Sequence, residues 1–411
     1  MFTSLKTLYH QFPSKFWIIL LAVFIDSIGS TLLFPFFSLY ITERFNVGMT
    51  QAGMVLGLFS IFGVIGNIIG GVLTDKFGRR KLIIFGLVFS AFSTLSLGFA
   101  TSLAMLYPLA IFIGILSSIA GPAHQAMMAD ILDEHQRQEG FGLLRVTNNL
   151  SWIIGPSIGG FLASRSYMLL FIMDAVVSCI VAFIFYQFMT ETKPQNQHEE
   201  NKPKESLLQT IAGYGTVFKD FGFTAFVLAA ILMNMVYQQM YNSLSIFLRD
   251  NHNMDPQSYG FLMTTSAITV ILFQIWVSRK IKHRPPFLIM AFGSLFYMLG
   301  FSMFGFVSLY WLFILAIFII TIGEMFVVPT SQTLAANFAP VEMRGRYMAI
   351  FGMAWLLPST IAPTLAGLVL DNLNPNLLWY IGGILCIIAA CAFYGLHIKI
   401  GKQEKFISIK A

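Results

Sequence analysis

A chain of 411 residues that is 56% hydrophobic and 11% charged, with a mean hydropathy of +0.74, cannot clothe a soluble surface, because soluble domains carry about 25% charged residues. Its formal charge of +6 does not point to nucleic acid, since Lys and Arg fall in short loops between apolar runs. Cys179, Cys386 and Cys391 are odd in number, sit inside apolar runs and lack metal-ligand spacing, so they read as small buried hydrophobes; neither a disulfide framework nor a metal site is expected.

A helix that crosses a bilayer needs about 20 mostly apolar residues. The first such run, at 16–41, follows Lys6 and Lys15. It exceeds the roughly 7–15 residues of a signal-peptide core and is read as a retained span. Runs follow at 52–74, 82–100, 103–128, 141–163 and 166–189, then at 221–248, 258–278, 286–306, 309–332, 346–370 and 377–399. The expected fold is an all-α membrane protein of twelve transmembrane helices in two six-helix, pseudo-symmetric bundles, 1–189 and 220–411. Residues 190–219 form a polar cytoplasmic linker of mixed charge.

Basic residues fix the orientation. Of 25 Lys and Arg, 21 fall on the side of both termini; Arg44, Arg165 and Arg249 fall on the other side, and Arg145 lies inside span five. Both termini are therefore expected in the cytoplasm of a bacterial cytoplasmic membrane. Trp17, Trp311 and Trp379 stand near span ends, as interfacial aromatics do.

An offset of 207 positions sets Gly53 on Gly260, Glu43 on Asp250, Pro122 on Pro329, Arg137 on Arg344, Pro156 on Pro363 and Gly160 on Gly367. Prolines and glycines mark backbone geometry, so these matches point to a duplication. Six spans per half makes the repeats parallel, an arrangement that favours a binding site near mid-membrane where the repeats meet.

The sequence resembles the major facilitator superfamily over about 16–400, and its twelve-span drug:proton antiporter branch in particular. The segment GVLTDKFGRRK at 71–81 is similar to the family's loop motif between spans two and three. Gly71 is expected to let span two approach a neighbour, and Asp75 to face the positive end of a helix. Gly78 would permit a tight turn, and Arg79, Arg80 and Lys81 would anchor the loop inside. The resemblance implies that this motif latches the two halves, with span eleven as partner. The corresponding SRKIKHRPPF from Ser278 keeps the charges but not the pattern, so the latch is expected on one side only. In WIIGPSIGGFL, Gly155, Pro156, Gly159 and Gly160 resemble a span-five motif of drug:proton antiporters, and would allow a bend and close packing against a helix of the other half. A third family feature is degraded: where many relatives carry a span-four arginine, this chain has Ala110, four residues before Gly114.

A charge at mid-bilayer costs at least about 2.5–3.5 kcal/mol, so ionisable residues within spans are the candidate functional groups. Asp26 in span one is read either as a proton carrier or cation-binding carboxylate, or as a structural acid paired with Arg145. Glu324 in span ten stands where the first repeat has Ser117, so the duplicated architecture does not require it. The resemblance places span ten on the transport cavity, with a Gly-Glu pair in some multidrug relatives. Arg145 cannot donate a proton; it is read as an ion-pair partner or an anchor for an anionic substrate. Asp174 in span six is read as structural. His124 and Gln125 in span four, and Tyr237, Gln238, Gln239, Tyr241 and Asn242 in span seven, are possible cavity-lining residues or interhelical hydrogen-bonders.

The sequence offers no serine–histidine elbow, metal-ligand cluster or phosphate-cradling loop. An enzyme is not expected, and neither is a cofactor. The function implied is proton-coupled efflux of amphiphilic or cationic small molecules by a monomer in the lipid bilayer. Its partners would be protons and a small-molecule substrate, with no nucleic acid. A uniporter or importer of a sugar or other metabolite, and a non-transporting receptor or scaffold, remain the alternatives.

Overall fold

The computed structural model describes residues 9, 11–193, 215, 217–340 and 343–401. Most of the linker lies outside this set, as do the side chains of Asp75 and Arg344. The described residues are helical, with short turns between helices. Hydrocarbon offers no partner for an unpaired backbone group, which forces this choice.

In chain order the helices are α1 (Ser14–Leu33), α2 (Phe37–Phe45), α3 (Met49–Phe77), α4 (Arg79–Gly98), α5 (Leu103–Ser118), α6 (Ala120–Ile131), α7 (Glu134–Ala163) and α8 (Tyr167–Phe188). They continue as α9 (Phe221–Tyr237), α10 (Gln239–Asn242), α11 (Leu244–His252), α12 (Pro256–Ile281), α13 (Pro286–Met303), α14 (Tyr310–Phe338), α15 (Arg344–Asn372) and α16 (Asn376–Ile400). Among the described residues, eleven stretches are long and apolar enough to cross a membrane. The remaining long helix, α7, occupies the place of span five with 30 residues; Arg145, Asn148, Asn149 and Ser151 make it more polar than the others.

Span one is α1 and α2 joined by a 3-10 turn at Phe34–Phe36, where Pro35 removes a backbone donor. Span four breaks between Ser118 and Ala120, because Pro122 cannot donate to the Ser118 carbonyl. Span seven breaks twice, at Gln238 and Ser243. The duplication extends to local geometry. α2 and α11 each run nine residues and are set 207 apart, and each ends on a left-handed asparagine, Asn46 (φ 51°) and Asn253 (φ 53°).

The chain divides into two compact units. The first comprises Met1–Val47, Val55–Gln197 and Met254–Ala267; the second comprises Gly48–Met54, His198–Asn253 and Ile268–Ala411. Unit one has a core of Phe12, Phe16, Ile19, Leu82, Ile83, Met127, Val181 and Phe185. The core of unit two includes a cluster of aromatic rings. Phe226 stacks near Phe338 and Phe351 at centroid distances of 5.7 and 5.8 Å.

The structure departs from three expectations. Trp379 is not an interfacial residue: it is 1% exposed and packs on Phe247 and Phe304, whereas Trp311 is 77% exposed. Of the cysteines only Cys386 is buried; Cys179 and Cys391 face outward, as small apolar residues can where the solvent is lipid. Gly71 does not mediate a close approach, since a Cβ there would meet nothing within 4 Å. Gly66 and Gly70 do so instead, against the backbone of Ile115 and Ile119. Helices in lipid gain no hydrophobic energy by associating, so close backbone packing of this kind holds them together.

Candidate functional site

Each unit carries a carboxyl group among polar and aromatic side chains. In unit two the group is Glu324, midway along α14. The residue before it, Gly323, has no Cβ; one built there would lie 2.8 Å from the Gly293 carbonyl and 2.8 Å from the Tyr297 ring. That close crossing of α13 and α14 sets Glu324 beside Tyr297. Glu324 acts electrostatically on Tyr237, Tyr241 and Tyr297.

The rings form a cluster around Tyr237. It stacks on Tyr297 with centroids 5.6 Å apart, meets Tyr241 at 5.6 Å, and stands edge-on to Trp355 at 6.0 Å. The Tyr237 and Tyr241 hydroxyls are 3.0 Å apart. Tyr241 follows Tyr237 by four residues, a spacing that keeps both on one helix face. Gln239 Nε2 donates to the Met235 and Ala362 carbonyls, its Oε1 accepts from Ser243, and Asn234 donates to Ala354 O at 2.8 Å. These bonds fix α9 and α10 against α15. Gln239 and Asn242, expected as possible cavity residues, are buried and bonded, Asn242 to Gln238 O; Gln238 is half-buried. Tyr297 and Trp355 belong to the cluster although nothing in the sequence singled them out.

In unit one, Asp26 lies in α1 and is half-buried. The ionisable group acting on it is Asp174 of α8. Asp26 thus has a second carboxyl group, on α8, as an electrostatic neighbour. Asp174 Oδ2 accepts from Thr94 Oγ1 at 2.7 Å. Arg145 is exposed on α7. One turn further along α7, Asn148 accepts from Ser27, at 3.0 Å. His124 packs edge-on against Phe185 of the unit-one core, and Gln125 is exposed.

The loop motif is a bonded corner inside unit one. Gly78 has φ +90°, a left-handed value that favours glycine. The N–H groups of Arg79 and Arg80 donate to the Glu191 carboxylate at 2.8 and 3.2 Å. Arg79, 7% exposed, pairs with Asp130 at 3.1 Å, and Arg80 donates to Tyr186 O. Burial raises the Glu191 pKa, but the backbone donors of Arg79, Lys193, Arg80 and Thr192 outweigh it and hold the acid below its ordinary value.

In the span-five motif, Gly155 and Gly159 lie against Thr31 and Leu32 of α1, and Gly160 against Pro256 and Gly260 of α12. Pro156 stays within the continuous α7, and its carbonyl lies 2.5 Å from where a Gly260 Cβ would stand.

A model of the Major Facilitator Superfamily matches residues 19–363 and 244–407, and the chain belongs to that superfamily. It is a multi-pass membrane transporter, not an enzyme. It is similar to a Na(+), Li(+), K(+)/H(+) antiporter of Planococcus maritimus, at 28% identity over 81% of this chain and 84% of that protein. It is also similar to the quinolone resistance protein NorA of Staphylococcus aureus, at 23% identity over 85% of this chain and 88% of that one. Among solved structures, a POT family transporter in complex with 5-aminolevulinic acid superposes with a TM-score of 0.79 at 16% identity, covering 95% of this chain and 97% of that one. That likeness concerns the fold.

Proposed function

We propose that the chain is a proton-coupled exporter of amphiphilic or cationic small molecules working by alternating access, with both termini in the cytoplasm. The observation that carries this reading is Glu324 at mid-span beside the rings of Tyr237, Tyr241 and Tyr297. A carboxylate supplies one negative charge where water is scarce, and electron-rich ring faces add cation–π attraction. Such a place holds either a monocation or a proton, since a protonated carboxyl loses its pull on the cation. Asp26, at a different place in the repeat, is the candidate coupling acid of unit one. Protonation from outside would release the substrate; loss of that proton to the cytoplasm would restore the site.

The similarity to a quinolone resistance protein supports a drug-like substrate, and that to an alkali-cation/proton antiporter supports exchange for protons. The second of these also favours a narrower reading, exchange of alkali cations themselves. Proteoliposomes separate the two: ethidium efflux and Na+, Li+ or K+ fluxes are followed with and without an imposed proton gradient. Ethidium movement that requires the gradient and disappears in Glu324→Gln, with the variant folded and inserted, supports the exporter. Full gradient-driven transport by Glu324→Gln removes Glu324 from the mechanism.

A further inference from the structure

Asp174 is a buried acid that the mechanism above leaves unused. It lies in α8, 7% exposed, and accepts from Thr94 of α4. Its other oxygen, Oδ1, lies over Gly29 of α1, where a Cβ would come within 2.8 Å. Gly29 is three residues beyond Asp26, hence on the same helix face. A missing side chain on α1 therefore admits the Asp174 carboxyl to the face that carries Asp26.

Asp174 acts electrostatically on Asp26, and two neighbouring carboxylates held away from bulk water do not both stay ionised, so that one proton serves the pair. The Thr94 hydroxyl is donated to Asp174, which favours Asp174 as the charged member and leaves the proton to Asp26. Along the middle of the helices around α1 the other ionisable groups are Arg145 on α7, Cys179 on α8 and His124 on α6, the last with its ring 5.3 Å from Phe185. The rest lie toward helix ends, Asp130 on α6, Glu134, His135, Arg137 and Glu139 on α7, and Tyr167 and Tyr186 on α8. Asn148 is neutral and bonded to Ser27.

We propose that Asp174, held by Thr94, is a positioning residue that sets the pH at which Asp26 gains and loses its proton. The proposal rests on the reading of Asp26 as a coupling acid, but its test does not depend on transport. The infrared band of protonated carboxyls is titrated in the purified protein, and the pH profile of ethidium efflux is measured beside it.

Asp26→Asn should remove the titrating component. Asp174→Asn, which keeps an acceptor for Thr94, removes the like charge and should lower the midpoint by about 1 pH unit. Thr94→Val removes the donor that stabilises the Asp174 anion, so the midpoint of the proton shared by the pair should rise, and Thr94→Ser should restore it. Added to Asp26→Asn, Asp174→Asn should change nothing further. A merely structural Asp174 would not produce opposite shifts from Asp174→Asn and Thr94→Val. The proposal is overturned if both leave the midpoint unmoved, or if no titrating band depends on Asp26. Should Asp174→Asn fail to insert, the Thr94 pair alone decides. If the midpoint shifts while efflux ignores Asp26→Asn, the carboxyl pair stands and the assigned role of Asp26 in export falls.

Discussion

Asp371, near the end of α15, accepts the backbone N–H of Met49 at 2.9 Å, and its second oxygen accepts that of Thr50 at 2.8 Å. The first turn of α3 is thus capped by a carboxylate far away in sequence. Its counterpart at the 207 offset, α12, is capped locally: Asp255 Oδ1 accepts from Ser258 N at 2.8 Å. Where α12 has Asp255, α3 has Gly48, whose missing side chain leaves the space that Asp371 fills. Residues 48–54 accordingly cluster with unit two. Loss of a helix cap costs about 0.5–2 kcal/mol. Asp371→Ala should therefore lower the thermal midpoint in detergent and speed amide exchange at Met49 and Thr50, with Asp371→Asn in between. Unchanged exchange in Asp371→Ala would show that these bonds do not hold the turn.

The crossing of Gly323 and Gly293 makes a second prediction. A Cβ on Gly293 would lie 2.5 Å from Val327 Cγ2, and one on Gly323 would lie 2.8 Å from the opposing carbonyl. Gly323→Val should push α14 off α13 at a cost of about 1–3 kcal/mol, and carry Glu324 away from Tyr297. Gradient-driven efflux should fall steeply while the protein still reaches the membrane. Substitution at Gly395, which faces open space, is the control. Equal activity of the two variants would show that the crossing does not position the acid.

The corner at Gly78 predicts a pH dependence of stability. Burial raises the pKa of Glu191, yet the donors from Arg79, Lys193, Arg80 and Thr192 bring it below the ordinary 4.5. A carboxylate whose folded pKa is depressed contributes stability that is full above the unfolded value and fades as pH falls through the folded one. The corner is therefore intact at neutral pH. The difference in thermal midpoint between the natural protein and Glu191→Gln should be flat at neutral pH and close below about pH 4.5. A difference that persists unchanged at pH 3 would show that the charge of Glu191 is not what holds the corner.

The spans were legible because each must be a nearly uninterrupted apolar run, and the duplication because Gly53, Pro156 and their partners at the 207 offset fix backbone shape. Glu324 could be singled out because an acid at mid-span is costly. What it touches was not legible: Tyr297 and Trp355 sit on other helices, and no local pattern separates a ring in the cluster from one facing lipid. The same limit hid Asp174 as a neighbour of Asp26, because the two acids lie on helices far apart in sequence. Trp379 failed for a related reason. An indole near a span end suits an interface, but the neighbouring Phe247 and Phe304 bury it.

Tyr237 separates attraction by rings from attraction by hydroxyls. Its ring contacts those of Tyr241, Tyr297 and Trp355, while its hydroxyl meets that of Tyr241. Tyr237→Phe keeps the ring and removes one hydrogen bond, a loss of about 1 kcal/mol that falls on stability. Its KM for a lipophilic monocation such as ethidium should stay close to that of the natural protein. Tyr237→Leu removes the ring face, and a cation–π contribution of about 0.5–2 kcal/mol corresponds to a KM raised roughly 2- to 30-fold. An uncharged substrate of similar size should show no such difference between the two variants. If Phe and Leu weaken the cation equally, the hydroxyl and not the ring recognises it, and the cluster acts on substrate through hydrogen bonding.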